Sequence, residues 1–290
     1  MRRLVPLLLV LTLGGCAAQF AYNQLDRALP WLLDDYLDLT GPQYDLLQTR
    51  MSAQICWHRT TQLPVYADWL RRAEAGLRDG MTAEDLDRFE GELWVYWKTM
   101  MGRVAPDLAQ VMAGLSDKQI AELAERLELK NLEFAAERVK PTATEQRSRM
   151  ARDLRRHFER WVGSLTDGQK QAVQDWSEEV ELTSTLRLAA RRAWQAQLLA
   201  ALRERQDRAR LASALSELLV NPASSRTADY QRRLDNNTAL TKSLILSLLP
   251  TLSARQKAYF TKRVLGLAED FDELAADDNV PAECALAVSR

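Results

Sequence analysis

Few side chains in this 290-residue chain can do acid–base, nucleophilic or metal chemistry, and their spacing fits no catalytic pattern. There are two histidines, His58 and His157. A di-iron bundle needs Glu-x-x-His pairs on facing helices, yet Ile55 stands three places before His58 and Leu154 three places before His157. No His-Glu-x-x-His, glycine-rich phosphate loop or Gly-x-Ser-x-Gly elbow occurs. Neither Cys56 nor Cys284 has a histidine-plus-carboxylate grouping nearby in sequence, which argues against a thiol nucleophile. The adjacent acids Asp34-Asp35 and Glu178-Glu179 are the residues from which a hydrolase of cell-wall glycan would have to be built. Such an enzyme needs its acid and base at a defined separation, and adjacent acids on helices are more often solvated faces. We therefore expect a protein that is not an enzyme, with no catalytic residue, no cofactor and no metal site; the glycan hydrolase is the alternative.

Three groups of residues suggest binding instead. Trp57, His58 and Arg59 are consecutive, so on a helix they point in different directions. Trp57 is expected in the core, His58 against a carboxylate or a helix end, and Arg59 as a salt-bridge donor. Arg149, Arg152, Arg156 and Arg160 recur at steps of three and four and form a basic ridge. Its default role is solvation or ion pairing; docking to lipid headgroups, lipopolysaccharide or an envelope protein is the other. Phe89, Leu93, Trp94, Tyr96, Trp97, Met100 and Met101 make one helix apolar around much of its circumference. Such a helix is expected at the centre of a bundle; exposed, it would be a client-binding surface.

The N-terminus supplies an address. Met1-Arg2-Arg3 is followed by an apolar run from Leu4 to Leu13, the layout of an export signal over residues 1–15. As a helix that run spans about 15 Å, half of a bilayer's hydrocarbon core, so it is no transmembrane anchor. Leu13-Gly14-Gly15-Cys16 resembles the lipobox of bacterial lipoproteins. The resemblance implies cleavage before Cys16, acylation of Cys16, and a membrane attachment that is effectively permanent. Ala17 stands where an inner-membrane retention aspartate would, which implies the outer membrane, with the body facing the periplasm. In that oxidising compartment Cys56 and Cys284 are an even pair, either bridged or two free thiols. Loss of Arg2 and Arg3 takes Lys+Arg from 39 to 37 against 40 Asp+Glu. That mildly acidic balance argues against nucleic acid as a partner.

The elements that must position these residues read as helices. Leu, Ala, Arg, Glu, Asp and Gln dominate after residue 20, and no segment alternates as a strand would. Ile120, Leu123, Leu127 and Phe134 share a face, as do Val173, Trp176 and Val180, and Leu186, Ala190, Trp194 and Leu198. Gln169 to Asn221 contains no glycine or proline, so it is one long rod or folds back around Arg203–Arg210. Thr61-Gln62-Leu63-Pro64 is expected to start a helix and Arg78-Asp79-Gly80 to end it. The expected fold is all-α: an elongated bundle of about eight to ten helices, as one body or as two lobes. The divisions are an N-terminal half 16–140, a C-terminal half 141–276 with its seam near Pro141, and a flexible tail 277–290.

One pentapeptide recurs: Leu39-Thr40-Gly41-Pro42-Gln43, Leu115-Ser116-Asp117-Lys118-Gln119, Leu165-Thr166-Asp167-Gly168-Gln169 and Leu252-Ser253-Ala254-Arg255-Gln256. Each is a capping box, in which hydroxyl and glutamine satisfy each other's backbone N–H. Met81-Thr82-Ala83-Glu84-Asp85 is a looser version, and Thr142-Ala143-Thr144-Glu145 another box. The order Leu-Thr then Leu-Ser in each half is compatible with a duplicated unit. The Leu-Thr-x-x-Gln repeats are similar to those of the periplasmic chaperones Spy and CpxP, which implies a holder of unfolded envelope proteins. Over residues 16–70, Ala21-Tyr22-Asn23, Trp31, Asp34 to Thr40, Gln43, Trp57-His58-Arg59 and Leu63-Pro64-Val65-Tyr66 resemble an all-helical family of Gram-negative lipoproteins of unknown function. Together these lead to the expectation of a lipid-anchored outer-membrane scaffold or chaperone-like binder of envelope proteins.

Overall fold

The computed structural model describes Gln19 and residues 22–276; Cys16 with the export signal, and Cys284 with the tail, lie outside them. Among the described residues the chain is all-α, without a strand. The α segments are α1 (Leu25–Leu37), α2 (Gly41–Trp57), α3 (Leu63–Asp79), α4 (Ala83–Ala113), α5 (Asp117–Phe134), α6 (Ala143–Val162), α7 (Asp167–Glu179), α8 (Ser184–Arg203), α9 (Arg208–Val220), α10 (Ala228–Leu248) and α11 (Ala254–Ala276). They make ten rods rather than eleven, because a π turn at His58–Gln62 carries α2 into α3 without a break. The helix start expected at Thr61-Gln62-Leu63-Pro64 is therefore not a start. Pro64 lacks an N–H, and the π turn before it, closed by the Leu63 N–H donating to the His58 carbonyl, carries the rod past the missing donor.

The remaining boundaries follow local chemistry. Gly80 ends α3 at φ 101° and Gly163 ends α6 at φ 77°, conformations an L side chain resists. Asp38 takes a left-handed conformation after α1, held by the Asp34 carboxylate, which accepts the Leu39 N–H at 2.7 Å. The glycine- and proline-free run from Gln169 is three helices. It turns at residues 180–183 and again at 204–207, the second break falling where the apolar stripe fades.

The continuous α2–α3 rod, about 58 Å long at 1.5 Å per residue, runs antiparallel to α4. The register is written in side-chain contacts along its length: Arg50 with Asp107 at 3.6 Å, Arg103 over the Trp57 ring at 4.8 Å, Tyr66 against Tyr96 at 5.0 Å, and Arg72 with Glu92 at 2.8 Å. This hairpin is the spine. At one end α1, α2, α5, α8, α9 and the last turns of α4 enclose a core of Leu37, Leu47, Met112, Ile120, Leu123, Leu202, Leu211 and Leu215. At the other, α3, α6, α7, α10 and α11 enclose Ala67, Leu70, Val162, Val173, Leu248 and Val264. Each group draws helices from both sides of Pro141. No helix among the described residues is long and apolar enough to cross a membrane.

Candidate functional site

The four pentapeptides are not separate caps. They meet in pairs, and each pair is a reciprocal glutamine clamp. In the first, Gln43 Oε1 accepts its own cap's Thr40 N–H at 2.8 Å and the Gln119 amide at 2.9 Å, while Gln43 Nε2 donates to the Gly114 carbonyl at 2.6 Å. Gln119 mirrors this: its Oε1 accepts the Ser116 N–H at 2.8 Å and its Nε2 donates to the Asp38 carbonyl at 2.8 Å. The second clamp repeats the pattern. Gln169 and Gln256 accept from Thr166 and Ser253 N–H, both at 3.0 Å, and donate to the Thr251 and Ser164 carbonyls at 3.2 and 3.0 Å. They also bond each other at 2.8 Å. In all four cases the carbonyl reached is that of the residue before the partner copy's leucine. Each clamp thus ties two helix starts together and leaves its buried amides satisfied.

Arg205 braces the first clamp from behind. Its buried guanidinium donates to the Leu115 carbonyl at 2.6 Å, the Leu202 carbonyl at 3.2 Å and the Asp117 carboxylate at 2.7 Å. Nothing in the residues around Arg205 announces this role. The clamps had a signal, in the recurring order of Leu-Thr and Leu-Ser; the same order pairs copy one with two and three with four.

Midway along the spine lies the waist, where Trp57 ends α2 and His58 and Arg59 open the π turn. As expected the members of this trio diverge, but two converge on Tyr22, which the sequence marked only as part of a family resemblance. His58 Nδ1 lies 2.8 Å from the Tyr22 hydroxyl, and Arg59 stacks over the Tyr22 ring at 5.3 Å while donating to the Asn23 side chain. The partner of His58 is thus a phenol rather than the expected carboxylate or helix end. Burial holds His58 neutral, lowering its pKa to about 4, and pushes the Tyr22 phenol up. Arg59 is buried, with the Asn23 amide and the Tyr22 ring among its partners. Trp57 is half-buried under Arg103. From Tyr22 a run of rings crosses the waist: His58 at 5.9 Å, Tyr66 at 5.4 Å, then Tyr96 on α4 at 5.0 Å.

The apolar face of α4 is the main correction to the sequence reading. Phe89 is buried against Trp69, and Trp97 donates to the Leu219 carbonyl at 3.0 Å. Yet Leu93, Trp94 and Val95 are 49, 42 and 59% exposed, and none of residues 90–104 is buried. The reason lies in the spine: α4 is buried in one core through Phe89 and in the other from Ala105 onward, and between them it is covered on one side only, by the α2–α3 rod and the end of α9. Three consecutive exposed apolar residues sweep about 200°, just over half of the helix circumference.

The arginine ridge on α6 is partly committed. Arg149 donates to the Glu137 carbonyl, Arg156 pairs with Asp153, and neither Arg152 nor Arg160 forms an ion pair among the described residues. It lies on a different element from the waist, so the two sets of candidate binding residues do not form one site. The acidic pairs serve helix ends: Asp34 as above, and Glu178 at 3.8 Å from Arg147, which donates to the Ser177 and Val180 carbonyls closing α7. Cys56 is buried and disulfide-bonded, and both other cysteines, Cys16 and Cys284, lie outside the described residues.

Fold and site together define an all-α protein with two glutamine-clamped helix groups strung on one hairpin and an apolar gap between them. The chain belongs to DUF6279, a family of unknown function, which matches residues 35–231. No curated protein and no solved structure matches it. The matched span takes in the whole first clamp, the π turn with His58 and Arg59, and the third pentapeptide; it leaves out Tyr22 and Asn23 and stops short of the fourth.

Proposed function

We propose that the protein is a non-catalytic lipoprotein of the cell envelope, held in the outer membrane by acyl chains on Cys16. Its helical body would face the periplasm and bind other envelope proteins as a scaffold or chaperone-like holder. The observation that carries this reading is the exposed run Leu93-Trp94-Val95 in the unpacked middle of α4. Soluble proteins seldom leave contiguous apolar surface open unless something binds there. Two resemblances lend support: the lipobox around Cys16, and the pentapeptides similar to those of Spy and CpxP. With Cys16 acylated, Cys284 would be the cysteine left to pair with the disulfide-bonded Cys56, and a bridge of that kind supports an oxidising compartment.

Two measurements test the proposal. Cys16→Ser should move the protein from the membrane fraction to the soluble one; retention in the membrane removes the anchor. The purified soluble form should slow aggregation of an unfolded test protein at near-stoichiometric amounts, and Val95→Asp should abolish that protection without unfolding the body, because Val95 is already exposed. Protection unchanged by Val95→Asp removes the waist as the binding surface.

A further inference from the structure

Beside the second clamp, between the end of α6 and the starts of α7 and α11, lies a cavity of about 580 Å³. Small-molecule sites occupy about 300–1,000 Å³. Val162 and the Tyr259 ring are its apolar walls. Two charged residues line it, Glu159 on α6 and Arg255 on α11. Among the described residues neither side chain makes an ion pair or a hydrogen bond, with the other or with anything else. Of the charges nearby, Asp167 is taken by Lys170 at 3.1 Å, and Arg160 turns about 100° away from Glu159 on the helix. Lys262, two turns beyond Arg255 on the same face of α11, is a second unpaired cation among the described residues. Glu159 stands in the last turn of α6 and Arg255 in the first turn of α11, the helix ends at which the backbone dipole disfavours each charge.

The first clamp shows what packing alone puts in these places. Counted from the pentapeptide leucines, Leu33 and Leu37 stand where Glu159 and Gly163 do, and both pack into the core. Lys118 and Glu122 stand where Arg255 and Tyr259 do, and they pair with each other at 3.5 Å. The cation neutralised at the first clamp is therefore left open at the second, because an aromatic ring replaces its carboxylate, and the carboxylate that does line the cavity replaces a core leucine. We propose that this cavity binds a small zwitterion, with its ammonium group on Glu159, its anionic group on Arg255, and its apolar part against Tyr259 and Val162. A short peptide with free ends and an aminoalkyl phosphate share that chemistry. The site lies apart from α4 and does not depend on what binds there.

Calorimetric titration of the Cys16→Ser protein tests this with four probes: the tripeptide Ala-Leu-Ala, its N-acetyl form, its C-terminal amide, and O-phosphoethanolamine. Each capped peptide should bind about fivefold more weakly than the free one, the loss of one partly solvated ion pair. Glu159→Gln should bring the free peptide down to the level of the acetylated one while the amide is still discriminated against. Arg255→Gln should do the reverse. Arg255 is exposed and Glu159 half-buried, so the thermal midpoint of both variants should match that of the parent. A merely structural role would move the midpoint and leave the discrimination at both ends alone. Tighter binding of O-phosphoethanolamine than of the peptide, with the same dependence on both residues, supports the site and makes its anion a phosphate. The proposal is overturned if neither zwitterion binds at about 10 mM, if the capped peptides bind as tightly as the free one, or if each variant weakens every probe alike.

Discussion

Gln256 makes the clamp quantitative. It is 5% exposed, and its side chain accepts from the Ser253 N–H and donates to both the Ser164 carbonyl and Gln169 Oε1. Gln256→Leu keeps the volume and removes all of these bonds at once, leaving the Ser164 carbonyl without this donor and Gln169 without its mate. At about 1 kcal/mol per net bond, with a further penalty for buried groups left unpaired, the loss should be about 3 kcal/mol. An ordinary exposed box gives the comparison: Asp85→Ala in the Thr82 cap should lose about 1 kcal/mol. The decisive variant is the double one. Once Gln256 is leucine, Gln169 has already lost its mate, so adding Gln169→Leu should cost well under its own single value, a coupling of about 1.5 kcal/mol. Gln119→Leu, in the other clamp, should instead add to Gln256→Leu in full. Urea denaturation followed by far-ultraviolet circular dichroism reads the parent, the four single variants and the two doubles. If Gln256→Leu costs no more than the Asp85 cap, or the two substitutions within one clamp add without coupling, the pentapeptides are plain helix caps.

Two further outcomes follow from local geometry. Gly163 sits at φ 77° with the Tyr259 ring 3.7 Å from where a Cβ would stand, which is ordinary contact; Gly163→Ala should therefore lose about 1–2 kcal/mol from the backbone alone, read as a lower urea midpoint, and an unchanged midpoint would show that α6 can end another way. His58 takes its proton at about 4 in the fold but near 6.5 when unfolded. On acidification the unfolded chain is protonated first, so stability is complete above pH 6.5 and falls by about 3 kcal/mol as pH drops through 4; His58→Gln should flatten that part of a stability–pH curve, and a curve unaltered by the substitution would place the histidine in water.

What the residues disclosed beforehand, and what they withheld, divides along a physical line. Helix type, caps and breaks were legible because they are decided within a few residues: Gly80 at the end of α3, Thr142 and Glu145 opening α6, and the stripe of Ile120, Leu123 and Phe134 that is buried in the structure. The reciprocal glutamines were half legible. Type and spacing announced four caps, but an amide with spare hydrogen-bonding capacity says nothing of its second partner, 76 or 87 positions away. Pro64 misled because a proline in a first helical turn and a proline behind a π turn look alike in sequence; only the continuous α2–α3 rod distinguishes them. The middle of α4 misled more instructively. Phe89, Leu93, Trp94 and Trp97 carry the composition of a central helix, and composition cannot tell a helix wrapped on all sides from one whose two ends are wrapped by different groups. Leu93, Trp94 and Val95 stay open because Phe89 and Ala105 are buried in different cores, a division made by residues far away in the chain.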